Sequence, residues 1–213
     1  MGEKNIKDKL AGKFIVIDGP DGCGKSTQVK MLAEWLGGRG VEAVCFRDPG
    51  GTPIGEKIRE ILLDPEYEAM EVAVEVLVYM ASRAQLWFEK IVPALQSGRC
   101  VLLDRWLSST CAYQGYAGGF GMERVIKVAC DTIPSPWPDF SIILDVGVKT
   151  FRSRNNGGGG DRIEDKSDEY HSKVREGFLQ LAEKMDSFVA IDGRRDVQIV
   201  HKEVIKLIEE RNF

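Results

Sequence analysis

Residues 19–26 read GPDGCGKS, which fits the spacing GxxxxGK[ST]. Glycines in such a loop let backbone N–H groups curl around phosphates, a lysine ammonium reaches the β and γ phosphates, and a serine hydroxyl can hold Mg²⁺. An apolar run, FIVID, precedes the loop, and a helical pattern (Gln28, Val29, Met31, Leu32, Trp35, Leu36) follows it. The stretch Gly19, Pro20, Asp21, Gly22, Cys23, Gly24, Lys25, Ser26 and Thr27 is therefore expected to bind a nucleoside triphosphate. Asp21 is the unexpected member, because a carboxylate repels phosphates. Cys23 either fills a variable position or, near a helix N-terminus and a bound cation, carries a thiol of lowered pKa.

Three further stretches carry charge where a phosphoryl group would need it. CVLLDRW, 100–106, is a buried-strand pattern ending in Asp104, placed to hold Mg²⁺ directly or through water, and Arg105, whose planar fork suits a phosphate. Asp145, closing SIILDV, reads either as a weaker version of the same acid or as a structural strand-end cap. FRDPGG places a sharp turn at Asp48 and Pro49 before a helix starting near Pro53. Its DPGG also fits the DxxG of GTPase switches, but the chain has no [NT]KxD motif to read guanine. RSRNNGGGGDRIE sets Arg152, Arg154 and Arg162 around a glycine hinge, Asn155 to Gly160. Phosphoryl transfer needs cations around the moving group and water kept out, and arginines on a closing lid, about 152–165, would supply both.

These residues require a scaffold that gathers strand ends. Short apolar runs at Lys13–Asp18, Val41–Phe46, Cys100–Asp104, Phe140–Asp145 and Phe188–Ile191 alternate with longer helical patterns. That rhythm predicts an α/β fold, a doubly wound parallel sheet of five strands flanked by helices, of the P-loop NTPase type with a small lid, in a single domain spanning 1–213. Ligands gather at the carboxyl ends of such strands, where Gly19, Asp48, Asp104 and Asp145 fall. The longest helical pattern, Glu68 to Gln96, is apolar over much of its circumference, which points to burial on more than one side and to a homodimer packed through it.

Composition bounds the partners. Lys and Arg number 29 against 33 Asp and Glu, giving a net charge of −4, so no global field draws the chain to nucleic acid or to an anionic membrane. Five cysteines without CxxC spacing read as reduced thiols. The charged start, MGEKNIKDKLAG, lacks the apolar centre of a signal peptide, and no apolar run approaches the roughly 18 residues of a membrane span. A cytoplasmic protein is expected.

Taken together, GPDGCGKST, RDPGGTPIGEKIREILLD, EVLVYMASRAQL, DRWLSSTCAYQG and DRIE, in this order and approximate spacing, resemble the thymidylate kinases. The resemblance runs from about Lys13 to Asp192 and implies transfer of the γ-phosphate of ATP to dTMP, giving dTDP and ADP for dTTP synthesis, with Mg²⁺ as the metal. It implies that Asp21 faces the acceptor's 3′-hydroxyl and that Arg105 clamps the acceptor phosphate in line with ATP. By the same likeness Tyr79 stacks on the base, Arg83, one helical turn later, donates to a thymine carbonyl, and Ser109, Thr110 and Gln114 belong with Asp48 and Pro49 to the dTMP site. Tyr113 matches the tyrosine that packs against C2′, where a ribose hydroxyl would collide. Lys25, Arg105, Arg154 and Arg162 are the catalytic set so implied, with Arg152 also on ATP. The chain departs from the family at Trp106, where histidine or tyrosine is usual, and at Tyr79, where phenylalanine is. The competing readings are a kinase for another pyrimidine nucleotide or a deoxynucleoside, and a non-catalytic P-loop nucleotide-binding regulator.

Overall fold

Five runs rich in Ile, Val, Leu and Phe form a single all-parallel sheet: β1 (Phe14–Asp18), β2 (Ala43–Arg47), β3 (Cys100–Asp104), β4 (Phe140–Asp145) and β5 (Phe188–Asp192), in the order β2-β3-β1-β4-β5. They belong to a computed structural model that describes residues 5–154 and 161–213. The glycine-rich hinge expected at Asn155 to Gly160 lies outside the described residues.

Alternation along each strand divides the core in two. Phe14, Val16, Val101, Leu103 and Ile143 point to one face, and Ile15, Ile17, Cys100, Leu102, Ile142 and Leu144 to the other. The second face is covered by α1 (Ile6–Leu10), α2 (Lys25–Gly37) and α10 (Val197–Glu210), through Leu10, Leu32, Leu36, Val204 and Ile208. The first is covered by α4 (Val72–Leu86), α5 (Val92–Gln96), α7 (Met122–Thr132) and α9 (Asp168–Lys184). Both faces of a parallel sheet must be covered in this way, which is why the strands read as continuous apolar runs.

Register aligns the chemistry. Ile17 lies beside Asp104, Arg47 beside Asp104, and Asp145 beside Asp192, so the carboxyl ends of the strands share one edge. Trp106, just beyond β3, turns away from that edge. Its indole is buried against Phe14, with centroids 5.3 Å apart, and donates to the Pro136 carbonyl at 2.6 Å.

The helix expected over Glu68 to Gln96 starts later and is interrupted. A short 3₁₀ turn, Pro65–Tyr67, precedes α4, and a π-helical turn, Trp87–Ile91, joins α4 to α5. Pro93 carries no N–H to donate into the helix ladder, and widening the preceding turn accommodates it. α4 buries Val76, Met80 and Leu86 but leaves Val74 and Leu77 exposed. Remaining elements are α3 (Pro53–Leu63), capped by Thr52 accepting from the Gly55 N–H at 2.9 Å, α6 (Leu107–Thr110), a second π-helical segment at Cys111–Ala117, and α8 (Val148–Arg154).

Helix α9 lies directly on that second π-helical segment. A Cβ added to Gly177 would sit 3.0 Å from Ala112 Cα and 3.1 Å from Tyr116 Cβ, closer than side chains pack. Gly177→Ala is therefore expected to push α9 outward and destabilise the protein by about 1–3 kcal/mol, with a lowered Tm by calorimetry. An unchanged Tm would show that the contact is not tight.

Candidate active site

Asp18, the last residue of β1, organises the sheet edge from inside. It is fully buried and accepts hydrogen bonds from the Ser108 hydroxyl at 2.6 Å, the Ser109 hydroxyl at 2.7 Å and the Gly19 N–H at 2.8 Å, with the Trp106 N–H at 3.3 Å. Those bonds bind the start of the phosphate loop to the segment after β3. Gly19 is required there: its φ is +137°, and a Cβ would lie 2.5 Å from the Leu144 carbonyl oxygen.

Two cavities open on this edge. The inner one is lined by every residue expected at the acceptor: Asp21, Asp48, Pro49, Tyr79, Arg83, Arg105, Ser109, Thr110, Tyr113 and Gln114. Arg59, Leu63, Asp161 and Ile163 complete its wall and were not read from the sequence. The outer cavity is lined by Asp21, Gly22, Gly24, Lys25, Ser26, Thr27, Asp104 and Arg154, together with Arg47. Asp21, Asp48, Arg59 and Arg105 line both, so the two spaces share a wall of two acids and two arginines.

Arg105 is the centre of that wall. Its backbone is left-handed, φ +67°, a conformation rare for residues other than glycine. The guanidinium donates to the Gly19 carbonyl and the Ser109 hydroxyl, both at 2.9 Å, and pairs with Asp21. The Tyr113 hydroxyl donates to the other Asp21 oxygen at 2.6 Å. Burial pushes Asp21 toward the neutral form, but the charges of Arg105 and Lys25 and the hydrogen bonds from Tyr113 and Arg105 outweigh it, and its pKa falls from 3.8 to about 2. Burial works against the Arg105 charge as well, and the surrounding Asp21, Tyr113, Asp18 and Asp104 hold that pKa above its ordinary value.

At the outer cavity, Lys25 Nζ donates to the Pro20 carbonyl at 2.8 Å and the Gly19 carbonyl at 3.2 Å, and the Ser26 hydroxyl donates to Asp104. A hydroxyl and a carboxylate are hard oxygen donors that suit Mg²⁺, which takes few protein ligands and keeps the rest for water and phosphate. Gly19, Pro20 and Cys23 do not line the cavity, and Cys23 is buried in the core beneath the loop. Burial pushes its thiol up, opposite to the lowering that a reactive cysteine would need.

The three arginines expected on a lid separate into distinct places. Arg154 lies in the outer cavity, donating to the Gly22 carbonyl at 3.2 Å and the Gly193 carbonyl at 3.1 Å. Arg152, expected on ATP, instead clamps the start of α9, donating to the Glu164 and Lys166 carbonyls and to Asp168. Arg162, expected among the catalytic residues, lines neither cavity; it is buried, donating to Glu75 at 2.5 Å and to the Leu62 carbonyl at 3.1 Å. Asp145 is a strand-end cap in a bidentate pair with Arg175, at 2.6 and 2.8 Å.

The part of the inner cavity around Arg83 is tightly tied. Arg83, 1% exposed, donates to Asp48 at 2.8 and 2.5 Å and to the Thr110 hydroxyl at 2.9 Å. Asp48 Oδ1 is buried without a hydrogen-bond partner among the described residues. Gln114 Nε2 donates to Glu75 at 2.9 Å. Tyr113 and Gln114 both sit on the π-helical segment, whose wider turn is the kind of irregularity found at functional sites.

The thymidylate kinase family model matches residues 17–204. A thymidylate kinase of Caldanaerobacter subterraneus subsp. tengcongensis is 46% identical over 202 residues, covering 94% of this chain and 97% of that protein. One of Pelotomaculum thermopropionicum is 42% identical over 204 residues, with 94% of each chain covered. The crystal structure of thymidylate kinase from Ehrlichia chaffeensis superposes with a TM-score of 0.74 at 30% identity, covering 93% of this chain and 99% of that one.

Because its folded pKa is depressed, Asp21 contributes stability that is complete above its ordinary value of 3.8 and is lost as pH falls through about 2. A carbon-detected NMR titration is expected to place the Asp21 midpoint near 2 and, in Arg105→Gln, to move it upward, because burial is then less opposed. A midpoint unmoved by the substitution would contradict the pairing.

Proposed function

Since this chain belongs to the thymidylate kinase family, we propose that its outer cavity takes ATP, its inner cavity takes dTMP, and the γ-phosphoryl group passes between them to give dTDP and ADP. The observation that carries this reading is the shared wall: Arg105 and Arg59 border both spaces, where two phosphate-bearing substrates would meet. Phosphoryl transfer asks little covalent chemistry of a protein and much alignment and charge, and a wall fixed from Asp18 and Asp21 supplies both.

In this reading Lys25 and Arg154 bear on the donor phosphates, Arg105 on the acceptor phosphate, and Tyr79 and Arg83 on the base. Ser26 and Asp104 would hold Mg²⁺, which when bound neutralises charge on the phosphates. Tyr113 has two roles, its ring against the sugar and its hydroxyl orienting Asp21, which remains a carboxylate able to accept from the 3′-hydroxyl. Arg152 and Arg162 act by anchoring the lid to α9 and α4. The chain is read as one nucleoside monophosphate kinase domain, 1–213, with a lid at about 152–165. Cytoplasmic action without nucleic acid or membrane partners fits the net charge of −4 and the absence, among the described residues, of a helix long and apolar enough to cross a membrane.

A homodimer is part of the proposal. Ile54 and Ile61 of α3 and Val74 and Leu77 of α4 are 45–61% exposed, with Phe88 at 57% beyond α4, and an apolar surface of this kind on a soluble kinase calls for a second copy. Sedimentation at micromolar concentration is expected to give twice the chain mass, and Leu77→Glu to give the monomer. A monomeric native protein would refute it.

A panel of nucleoside monophosphates and deoxynucleosides with ATP, read by coupled ADP release, tests the activity. dTMP is expected to be the preferred acceptor, with Lys25→Ala and Arg105→Ala each lowering turnover at least about a hundredfold. Preference for another acceptor, or no turnover with any, would favour the competing kinase or the silent regulator.

A further inference from the structure

Glu75 stands in the middle of an apolar helical run, VAVEVLVYM, and is 1% exposed. A buried carboxylate at that position must have partners, and it has three. Its Oε1 accepts from Arg162 at 2.5 Å and lies 3.7 Å from Lys166 Nζ, while its Oε2 accepts from Gln114 Nε2 at 2.9 Å. We infer that Glu75 is the positioning residue that fixes which end of the Gln114 amide faces the inner cavity, and thereby selects pyrimidines protonated at N3 over those that are not. The inference rests on reading the inner cavity as the base pocket.

A glutamine amide has one accepting end and one donating end, and nothing in its shape decides between its two orientations. The Glu75 carboxyl beside it does decide, because its Oε1 is paired with the Arg162 guanidinium and its Oε2 accepts from the amide nitrogen. Glu75 therefore takes the Gln114 NH₂ and turns the carbonyl Oε1 away, and among the described residues no donor reaches that oxygen. Gln114 lines the inner cavity, so the pocket presents an acceptor there. Thymine and uracil carry a hydrogen on N3 and can donate to it; cytosine has a lone pair on N3 and would meet it oxygen to nitrogen, both accepting. Arg83 adds the complementary donors, with its guanidinium held by Asp48 and Thr110. A carbonyl at C4 fits those donors and an amino group does not. Neither group distinguishes thymine from uracil, so this selection concerns N3 alone.

Arg162 makes the test sharper. In Glu75→Gln the new side chain must still offer Arg162 an acceptor, so its carbonyl occupies the Oε1 position and its NH₂ faces Gln114. Gln114 then has to turn over, accepting from residue 75 and presenting its own NH₂ to the cavity. The pocket acquires a donor where it had an acceptor, which suits cytosine.

The experiment measures binding of thymidine and deoxycytidine by calorimetry, and kcat and KM for dTMP and dCMP, in wild type, E75Q and E75Q/R162Q. The double variant removes the buried cation that in the single one has lost its counter-charge and could unfold it. The thymidine-to-deoxycytidine affinity ratio is expected to fall at least about tenfold in E75Q, with the kinetic effect mainly in KM, and by less in E75Q/R162Q, where no Arg162 fixes which end of residue 75 faces Gln114. In a Gln114→Met background, E75Q is expected to leave the ratio where Gln114→Met alone put it. An equal loss for both bases, or a shift that persists in the Gln114→Met background, would make Glu75 a structural lid anchor only and overturn the inference. A wild-type preference for thymidine that survives E75Q overturns this inference and leaves the base-pocket reading intact; no preference in wild type overturns both.

Discussion

The site depends on one half-buried cation. Arg105 sits on a left-handed backbone just past β3, a conformation costing an L-residue about 1–2 kcal/mol, and is held there by Asp21, Ser109 and the Gly19 carbonyl. Beneath it Asp18 ties the phosphate loop to the β3 exit. The strain is thus offset by a network that also builds the wall common to the two cavities. With Arg105 displaced, Asp21 would lose its counter-charge, Tyr113 would hold an unpaired acid, and the common wall of the two cavities would open.

The same logic explains the outer parts. The three arginines at 152, 154 and 162 are not equivalent. Arg152 is tied to the head of α9 and Arg162 to Glu75 within α4, and of the three only Arg154 lies against the loop after β1. Two of these similar side chains thus tie segments together while the third lines the outer cavity.

Much of this was legible in the sequence. Five apolar runs with acids or glycine at their ends could be read as a parallel sheet, since strands buried on both faces have few other solutions, and the residues expected at the acceptor, which sit on four separate segments, line one cavity. Which of three neighbouring arginines faces a cavity was not legible, because it depends on carbonyls of Glu164, Lys166 and Leu62 brought near by the chain's path. Arg59 was hidden for the same reason, within an ordinary amphipathic helix. Asp18 and Glu75 did leave a signal: a carboxylate inside an apolar run must be paired once buried. Pro93 likewise marked the interruption between α4 and α5, although the π-helical form of the turn is a tertiary outcome.

The central claim is that two phosphate sites share one wall, so that both substrates are bound at once and aligned across Arg105. Calorimetry with a dinucleoside polyphosphate joining adenosine to thymidine tests it most directly. The expected result is binding to the native protein at least about a hundredfold tighter than ATP or dTMP alone, with most of that gain lost in Arg105→Gln. An affinity no better than that of the stronger single nucleotide would contradict the account.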